Sequence, residues 1–225
     1  MHDTSLACGQ AVAKIFARPG VRVVDIGGLS VSGTLRQAFE EGGAQFTSVD
    51  MDSHPSVDVV VKAGEPLPFA TGSIDLVVSS SCFEHDPMFW LTFREMSRIV
   101  KLGGYIYVSA PSNGVYHAYP GDSWRFYSDA GQSLAVWSGK QLGNEDVFPT
   151  RVSEVFHILP KDDIWIDFVC LWERVESKET NIQTPSEIVN KKGPLKVLLQ
   201  NNGFRTSDRF PINVHQSYTI ARNIL

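Results

Sequence analysis

A chain of 225 residues, 43% hydrophobic and 20% charged, can build one domain with an appendage and lacks the bias of a fibrous or disordered sequence. Its net charge of −5 gives no reason to expect nucleic-acid binding, no apolar run reaches membrane-span length, and residues 1–20 lack a signal-peptide layout. Three widely spaced cysteines (Cys8, Cys82, Cys170) without a C-x-x-C argue against a disulfide framework or a zinc site and fit a reducing, cytoplasmic setting.

Residues 5–17 place Leu6, Val12, Ile15 and Phe16 along a helical face that Pro19-Gly20 stops. Val21, Val23, Val24 and Ile26 then form a β-branched run suited to a buried strand, with Asp25 in it and Gly27-Gly28 directly after. A helical period at Val31, Leu35, Ala38 and Phe39 predicts a helix to about Glu41, ended by Gly42-Gly43. Strand, glycine turn and helix form a unit in which backbone can approach a nucleotide-like ligand. Leu29 stands two after Gly27, so G-x-G-x-x-G fails, and the acid two before that glycine suits a ligand with a positive centre better than a pyrophosphate.

Gln45–Val49 predicts a second strand, which delivers Asp50 and Asp52 at its end, and Val57–Val61 a third. Two prolines make Gly64–Phe69 a loop. Ile74–Ser80 is the fourth strand and runs into Ser81-Cys-Phe-Glu-His-Asp-Pro87. A helix with Phe89, Phe93, Met96 and Val100 on one stripe follows, stopped by Gly103-Gly104, and Tyr105–Ala110 is the fifth strand. Strands alternating with helices predict an α/β fold with a doubly wound, mostly parallel sheet. In such sheets ligands bind beyond the carboxyl ends of the strands, which here carry Gly27, Asp50, Ser81–His85 and Ser109–Asn113.

After Pro111 comes an aromatic, polar loop, His117 to Tyr127, then a helix over 128–140. Val152–Leu159 and Ile164–Trp172 are strand-like and suited to an antiparallel edge. Pro194–Asn202 offers a short helical face of Leu195, Leu198 and Leu199. Residues 176–225 carry a net +3 against −8 for the rest, which reads as a solvated surface. The expected division is a domain over 1–175 and a C-terminal extension over 176–225.

The run Val-Val-Asp-Ile-Gly, an acid after the second strand, Pro-Leu-Pro-Phe before the fourth and Arg-Ile-Val-Lys-Leu-Gly-Gly before the fifth resemble class I S-adenosylmethionine-dependent methyltransferases, with their Rossmann-like fold. The resemblance covers roughly residues 20–175. Ser79–Pro87 and Tyr119-Pro-Gly-Asp-Ser-Trp-Arg-Phe126 are similar to a bacterial branch found with polysaccharide-modifying enzymes. The resemblance implies S-adenosylmethionine as cofactor. Gly27 and Gly28 would lie under its methionine part, with Asp25 near the ammonium group. Asp50, with Met51 beside it, would hold the ribose diol, because a carboxylate can accept from both hydroxyls. Glu65 and Leu67 would border the adenine, and Ser81 would face the cofactor. Two departures stand out: Leu29–Gly33 replaces a tight glycine cluster, and Ala63 stands where relatives often place an acid.

A hydroxyl acceptor gains from a placed base, and His85, between Glu84 and Asp86, is one candidate, either acid being able to orient it or raise its pKa. It can equally cap the following helix or hold a loop. His117 and Asp122 form a second acid–base pair. Arg125 can grip an anionic substrate or pair with Asp122, and Tyr119 and Trp124 can stack on an acceptor ring or pack as core. Cys82 reads as a small hydrophobe, and no convincing metal-ligand cluster is visible. The expected activity is O-methylation of a sugar hydroxyl of a glycan or nucleotide-sugar-derived acceptor, with a small molecule or glycan as partner. An inactive nucleoside-binding module and, less well supported, a nicotinamide-dependent oxidoreductase are the alternatives.

Overall fold

The computed structural model describes residues 3–30, 33–118, 120–144, 146–161, 164–176 and 193–209. The β-branched runs form the centre of one sheet. β1 (Arg22–Ile26) lies between β2 (Gln45–Asp50) and β4 (Ile74–Ser80), and all its residues but Arg22 are buried. The short β3 (Val59–Val60) flanks β2, and β5 (Val100–Pro111) flanks β4. These five strands are parallel. The antiparallel edge follows, with β7 (Asp167–Arg174) beside β5, then β6 (Thr150–Leu159) and β8 (Arg205–Ser207). The order β3-β2-β1-β4-β5-β7-β6-β8 reverses direction between β1 and β4, which is where ligands settle in doubly wound sheets.

Side chains alternate across the pleat, so each strand feeds two cores. Val24, Val77 and Ile106 join Phe93, Met96 and Trp172 beneath α3 (Phe89–Ile99) and α4 (Asp129–Ser138). Val23, Leu76 and Tyr107 meet α1 (Asp3–Phe16), α2 (Arg36–Glu41) and α5 (Pro194–Asn201) on the other face. The buried side of α1 is made of small residues, Cys8, Ala11, Val12 and Ala13 among them, while Leu6, Ile15 and Phe16 are only partly covered. The N-terminus of α5 is fastened from across the sheet: the buried Glu154 carboxylate accepts the N–H groups of Leu195 (3.1 Å) and Lys196 (3.0 Å). Among the described residues no helix is long and apolar enough to cross a membrane.

Several boundaries differ from the sequence reading. The helix expected from Val31 begins at Arg36, whose N–H meets the Thr34 hydroxyl (3.1 Å), and Val31 itself lies outside the described residues. The third strand shrinks to two residues because the Asp58 side chain turns aside to accept the Ser48 N–H (2.8 Å) and the Arg36 guanidinium (2.5 Å). α3 ends at Ile99, not at the glycines, since Val100 is already extended and pairs with Ile74. Gly103 (φ +72°) and Gly104 instead form an irregularity inside β5, where a Cβ on Gly104 would lie 2.8 Å from the Asp75 carbonyl oxygen. The second edge strand starts at Asp167, with Ile164 before it.

Candidate active site

A cleft of about 510 Å³ opens over the carboxyl ends of β1, β2 and β4. Its floor begins at the glycine turn. Gly27 adopts φ +79°, and the N–H groups of Gly27 and Gly28 both point to the Val49 carbonyl, at 2.9 and 3.1 Å. A Cβ on Gly27 would stand 2.5 Å from both Cβ and Sγ of Cys82, and one on Gly28 would stand 2.0 Å from Ser48 Oγ. Both positions are thus restricted to glycine, by Cys82 just past the end of β4 and by Ser48 on β2, a constraint independent of the missing glycine fingerprint.

Asp50 ends β2 and is held by two backbone donors, Leu29 N–H to Oδ2 (3.0 Å) and Asp52 N–H to Oδ1 (3.2 Å). An ionised carboxylate has about four acceptor sites, so further donors can still be taken. Asp25 is buried beside it, and burial first, then the Asp50 charge, push its carboxyl up to about 8. Met51 lies on the rim at 48% exposure, Glu65 is exposed and Leu67 is buried. All eight residues expected around the cofactor line this one cleft: Asp25, Gly27, Gly28, Asp50, Met51, Glu65, Leu67 and Ser81.

The end of β4 is bent. Ser79 Oγ donates to the Ile26 carbonyl (2.9 Å), tying β4 to β1, and Ser81 takes φ +51°, uncommon for a residue with a Cβ. The chain then folds into the turn Cys82–Asp86, with the N–H groups of His85 and Asp86 on the Cys82 carbonyl. Asp86 serves the helix that follows: its carboxylate accepts Met88 N–H (2.8 Å) and the Thr92 hydroxyl.

Glu84 points the other way. Its side chain is fully buried, and neither carboxylate oxygen has a hydrogen-bond partner. Burial pushes its carboxyl up to about 8. The loop over it is anchored on its own backbone carbonyl, which accepts Ser123 N–H (2.7 Å) and Trp124 N–H (3.2 Å). His85 presents Nε2 to Glu84 Oε1 at 3.6 Å, while its Nδ1 meets the Gly121 carbonyl. The expectation that a neighbouring acid raises the His85 pKa is corrected. Burial lowers it and, with the His117 and Arg125 charges, outweighs the upward pull of the Gly121 carbonyl and of Asp122, the acid that does act on it.

His117 arrives from the loop after β5 and sets its ring 5.0 Å from that of His85, edge-on. Asp122 Oδ2 accepts the backbone N–H of His117 (2.8 Å) and lies 3.3 Å from its Nδ1. Asp122 is itself gripped by both Arg125 Nη atoms (2.5 and 2.8 Å), which hold its carboxyl well below the usual carboxylate range. Of the expected catalytic residues, His85 and His117 line the cleft, and Asp122 stands behind His117. Arg125 faces Asp122 and the Trp165 ring, and Trp124 donates Nε1–H to the Asp86 carbonyl (3.0 Å) and packs on Phe89, so neither is part of the cleft lining. Tyr119 lies outside the described residues. Sequence reading gave Glu84 only a part in orienting or charging His85, and its buried, unpartnered carboxylate in the cleft had no signal beyond a glutamate at the strand-to-helix junction.

Residues 7–108 match the family model described as a methyltransferase domain. An uncharacterised methyltransferase of Mycobacterium leprae is 33% identical over 98 residues, covering 39% of this chain and 36% of the relative. One of Mycobacterium sp. (strain KMS) is 36% identical over 96 residues, 38% and 37% of the two chains. The matching stretch thus spans little more than a third of these relatives' length. Among solved structures, 1,6-didemethyltoxoflavin-N1-methyltransferase of Burkholderia thailandensis, with 1,6-didemethyltoxoflavin and S-adenosylhomocysteine bound, superposes with a TM-score of 0.58 at 14% identity, over 77% of this chain and 80% of that one. The YcgJ protein of Bacillus subtilis gives 0.53 at 13%, over 78% and 100%. At such identities the likeness is one of fold, and it agrees with the strand order and its reversal at β1 and β4. Residues 7–108 therefore match the methyltransferase-domain family, and the sheet they help build has the Rossmann-like methyltransferase fold.

Proposed function

We propose that the chain is an S-adenosylmethionine-dependent methyltransferase acting on a hydroxyl of a small-molecule acceptor, with a sugar as the favoured class. The observation that carries this reading is the placement of Gly27, Asp50 and the Glu84–His85–His117 group along one cleft at the switch point of the sheet. The amino-acid end of the cofactor lies over Gly27, where Asp25 can face its ammonium group. The ribose lies against Asp50, and the adenine runs toward Leu67 and Glu65. The methyl group then points to the end of the cleft occupied by Glu84, His85 and His117, where the acceptor hydroxyl sits.

In the transfer, the acceptor oxygen forms a bond to the methyl carbon as the carbon–sulfur bond breaks, and the electron pair stays on sulfur as the thioether. The sulfonium is already activated, so positioning supplies much of the rate, on the order of 7–11 kcal/mol. Loss of the hydroxyl proton is assisted at the imidazole end, where a lowered pKa keeps His85 neutral at pH 7. The saccharide preference is supported by the resemblance of Ser79–Pro87 and Tyr119–Phe126 to a polysaccharide-associated branch. The test is a panel of sugars, nucleotide sugars, amines and carbon acceptors incubated with methyl-labelled S-adenosylmethionine. Label on a saccharide oxygen supports the reading, and label confined to amine or carbon acceptors overturns its O-methyl part.

A further inference from the structure

We propose that Glu84, His85 and His117 bind a divalent first-row transition-metal ion at the acceptor end of the cleft. The three residues each offer one ligand atom, and these atoms all lie within 4.8 Å of one another. Ligands about 2.0–2.2 Å from a common ion stand roughly 3–4 Å apart, so small side-chain rotations close the set.

Three further features favour a cation there. Glu84 is a fully buried carboxyl whose two oxygens both lack a hydrogen-bond partner. Such a group is costly to bury unless something positive meets it. His85 has its Nδ1 on the Gly121 carbonyl, which leaves the lone pair on Nε2, the atom facing Glu84. His117 has its Nδ1 3.3 Å from both Asp122 Oδ2 and the Val115 carbonyl, and Asp122 is fixed by Arg125. A ligating histidine ordinarily carries an oxygen acceptor of this kind on its far nitrogen, which orients the ring and fixes its tautomer. Two imidazoles and one carboxylate suit Mn²⁺, Fe²⁺, Co²⁺ or Zn²⁺ better than Mg²⁺ or Ca²⁺, which prefer oxygen alone. Three protein ligands leave coordination positions for an acceptor oxygen, and all three residues line the cleft that also holds Gly27 and Asp50. The inference deepens the methyltransferase reading, rests on it for its purpose and replaces the imidazole's part in the proton step: with His85 Nε2 on the ion, the ion would seat the acceptor hydroxyl and make its proton easier to lose, to water instead of to His85.

The experiment uses full-length protein stripped with a chelator and then titrated separately with Mn²⁺ and Zn²⁺. Bound metal is read by calorimetry and by metal analysis after desalting, and S-adenosylhomocysteine binding is measured on the same samples. The expected result is one ion per chain, with affinity reduced at least tenfold in both Glu84→Gln and His117→Ala, and S-adenosylhomocysteine affinity within about threefold of wild type. Glu84→Gln keeps the buried shape and His117→Ala alters a partly exposed loop, so at least one variant remains folded, as checked by its melting curve. Absence of a stoichiometric ion in the wild type overturns the inference, as does unchanged affinity in a folded variant. Protein that binds S-adenosylhomocysteine but neither metal overturns the metal site and leaves the functional reading standing. Protein that binds the ion through these residues but no S-adenosylhomocysteine supports the site and overturns that reading.

Discussion

Gly27 and Cys82 touch across the floor of the cleft: a Cβ on the glycine would sit 2.5 Å from the cysteine's Cβ and Sγ. The turn after β1 and the turn after β4 are therefore seated on each other, and the cofactor's proposed bed has no space for a larger residue. Gly27→Ala meets both this contact and a φ of +79°. It is expected to destabilise the fold by about 1–3 kcal/mol, a melting-temperature drop of several degrees, and to weaken S-adenosylhomocysteine at least tenfold. Thermal melts with and without ligand read both effects.

Asp50 already accepts from Leu29 and Asp52 and, on the proposed binding mode, also accepts from the ribose hydroxyls. Hydrogen bonds to a charged group are worth about 1.5–3 kcal/mol, so Asp50→Ala should weaken S-adenosylhomocysteine about 10–100-fold. Calorimetry measures this directly. Affinity within twofold of wild type removes Asp50 from the ribose.

Asp25 gives a pH prediction. The native protein holds its proton up to about pH 8, whereas the unfolded chain releases it near the ordinary value of 3.8. Between those limits the native state carries more protons, so stability falls as pH rises, by at most about 1.4 kcal/mol per unit from this group. Denaturant midpoints from pH 5 to 8 should decline, and Asp25→Asn should reduce the decline, leaving the share that the buried Glu84 contributes over the same range. The cofactor's ammonium group favours the ionised form, so S-adenosylhomocysteine affinity should rise over the same range in the wild type and lose that rise in Asp25→Asn.

The Asp122–Arg125 pair should prove structural in the first instance. Asp122 is 2% exposed and Arg125 22% exposed, and the acid also orients His117. Arg125→Ala leaves that carboxylate without its main partner and is expected to cost about 2–3 kcal/mol, below the range for a fully buried pair because the arginine is partly solvated. The double variant Asp122→Asn/Arg125→Ala should recover part of the loss, which urea denaturation would show. No recovery would mean that the arginine acts elsewhere.

The strands were legible because Val23, Val24, Ile26 and the run Ile74–Ser80 can hardly be anything else, and Asp50 was legible because a strand end in a parallel sheet is a binding position. Helix limits were less so. Gly103-Gly104 reads as a helix stop in one dimension, yet three dimensions need those glycines for the irregularity in β5. Arg125 had two partners on paper, and only the geometry shows it clasping Asp122. The isolation of Glu84 could not be read at all. A loop distant in sequence folds back to donate the Ser123 and Trp124 N–H groups to the Glu84 backbone carbonyl, while the buried carboxylate oxygens receive no hydrogen bond.

The central claim is that a sulfonium nucleoside lies along the cleft from Gly27 to the Glu84–His85–His117 end. Titration of the wild type with S-adenosylhomocysteine and, separately, with NAD, repeated on Asp50→Ala, tests it most directly. The account predicts one-site binding of S-adenosylhomocysteine that collapses in the variant, and no heat with NAD. Binding of NAD alone, or S-adenosylhomocysteine binding indifferent to Asp50, would contradict it.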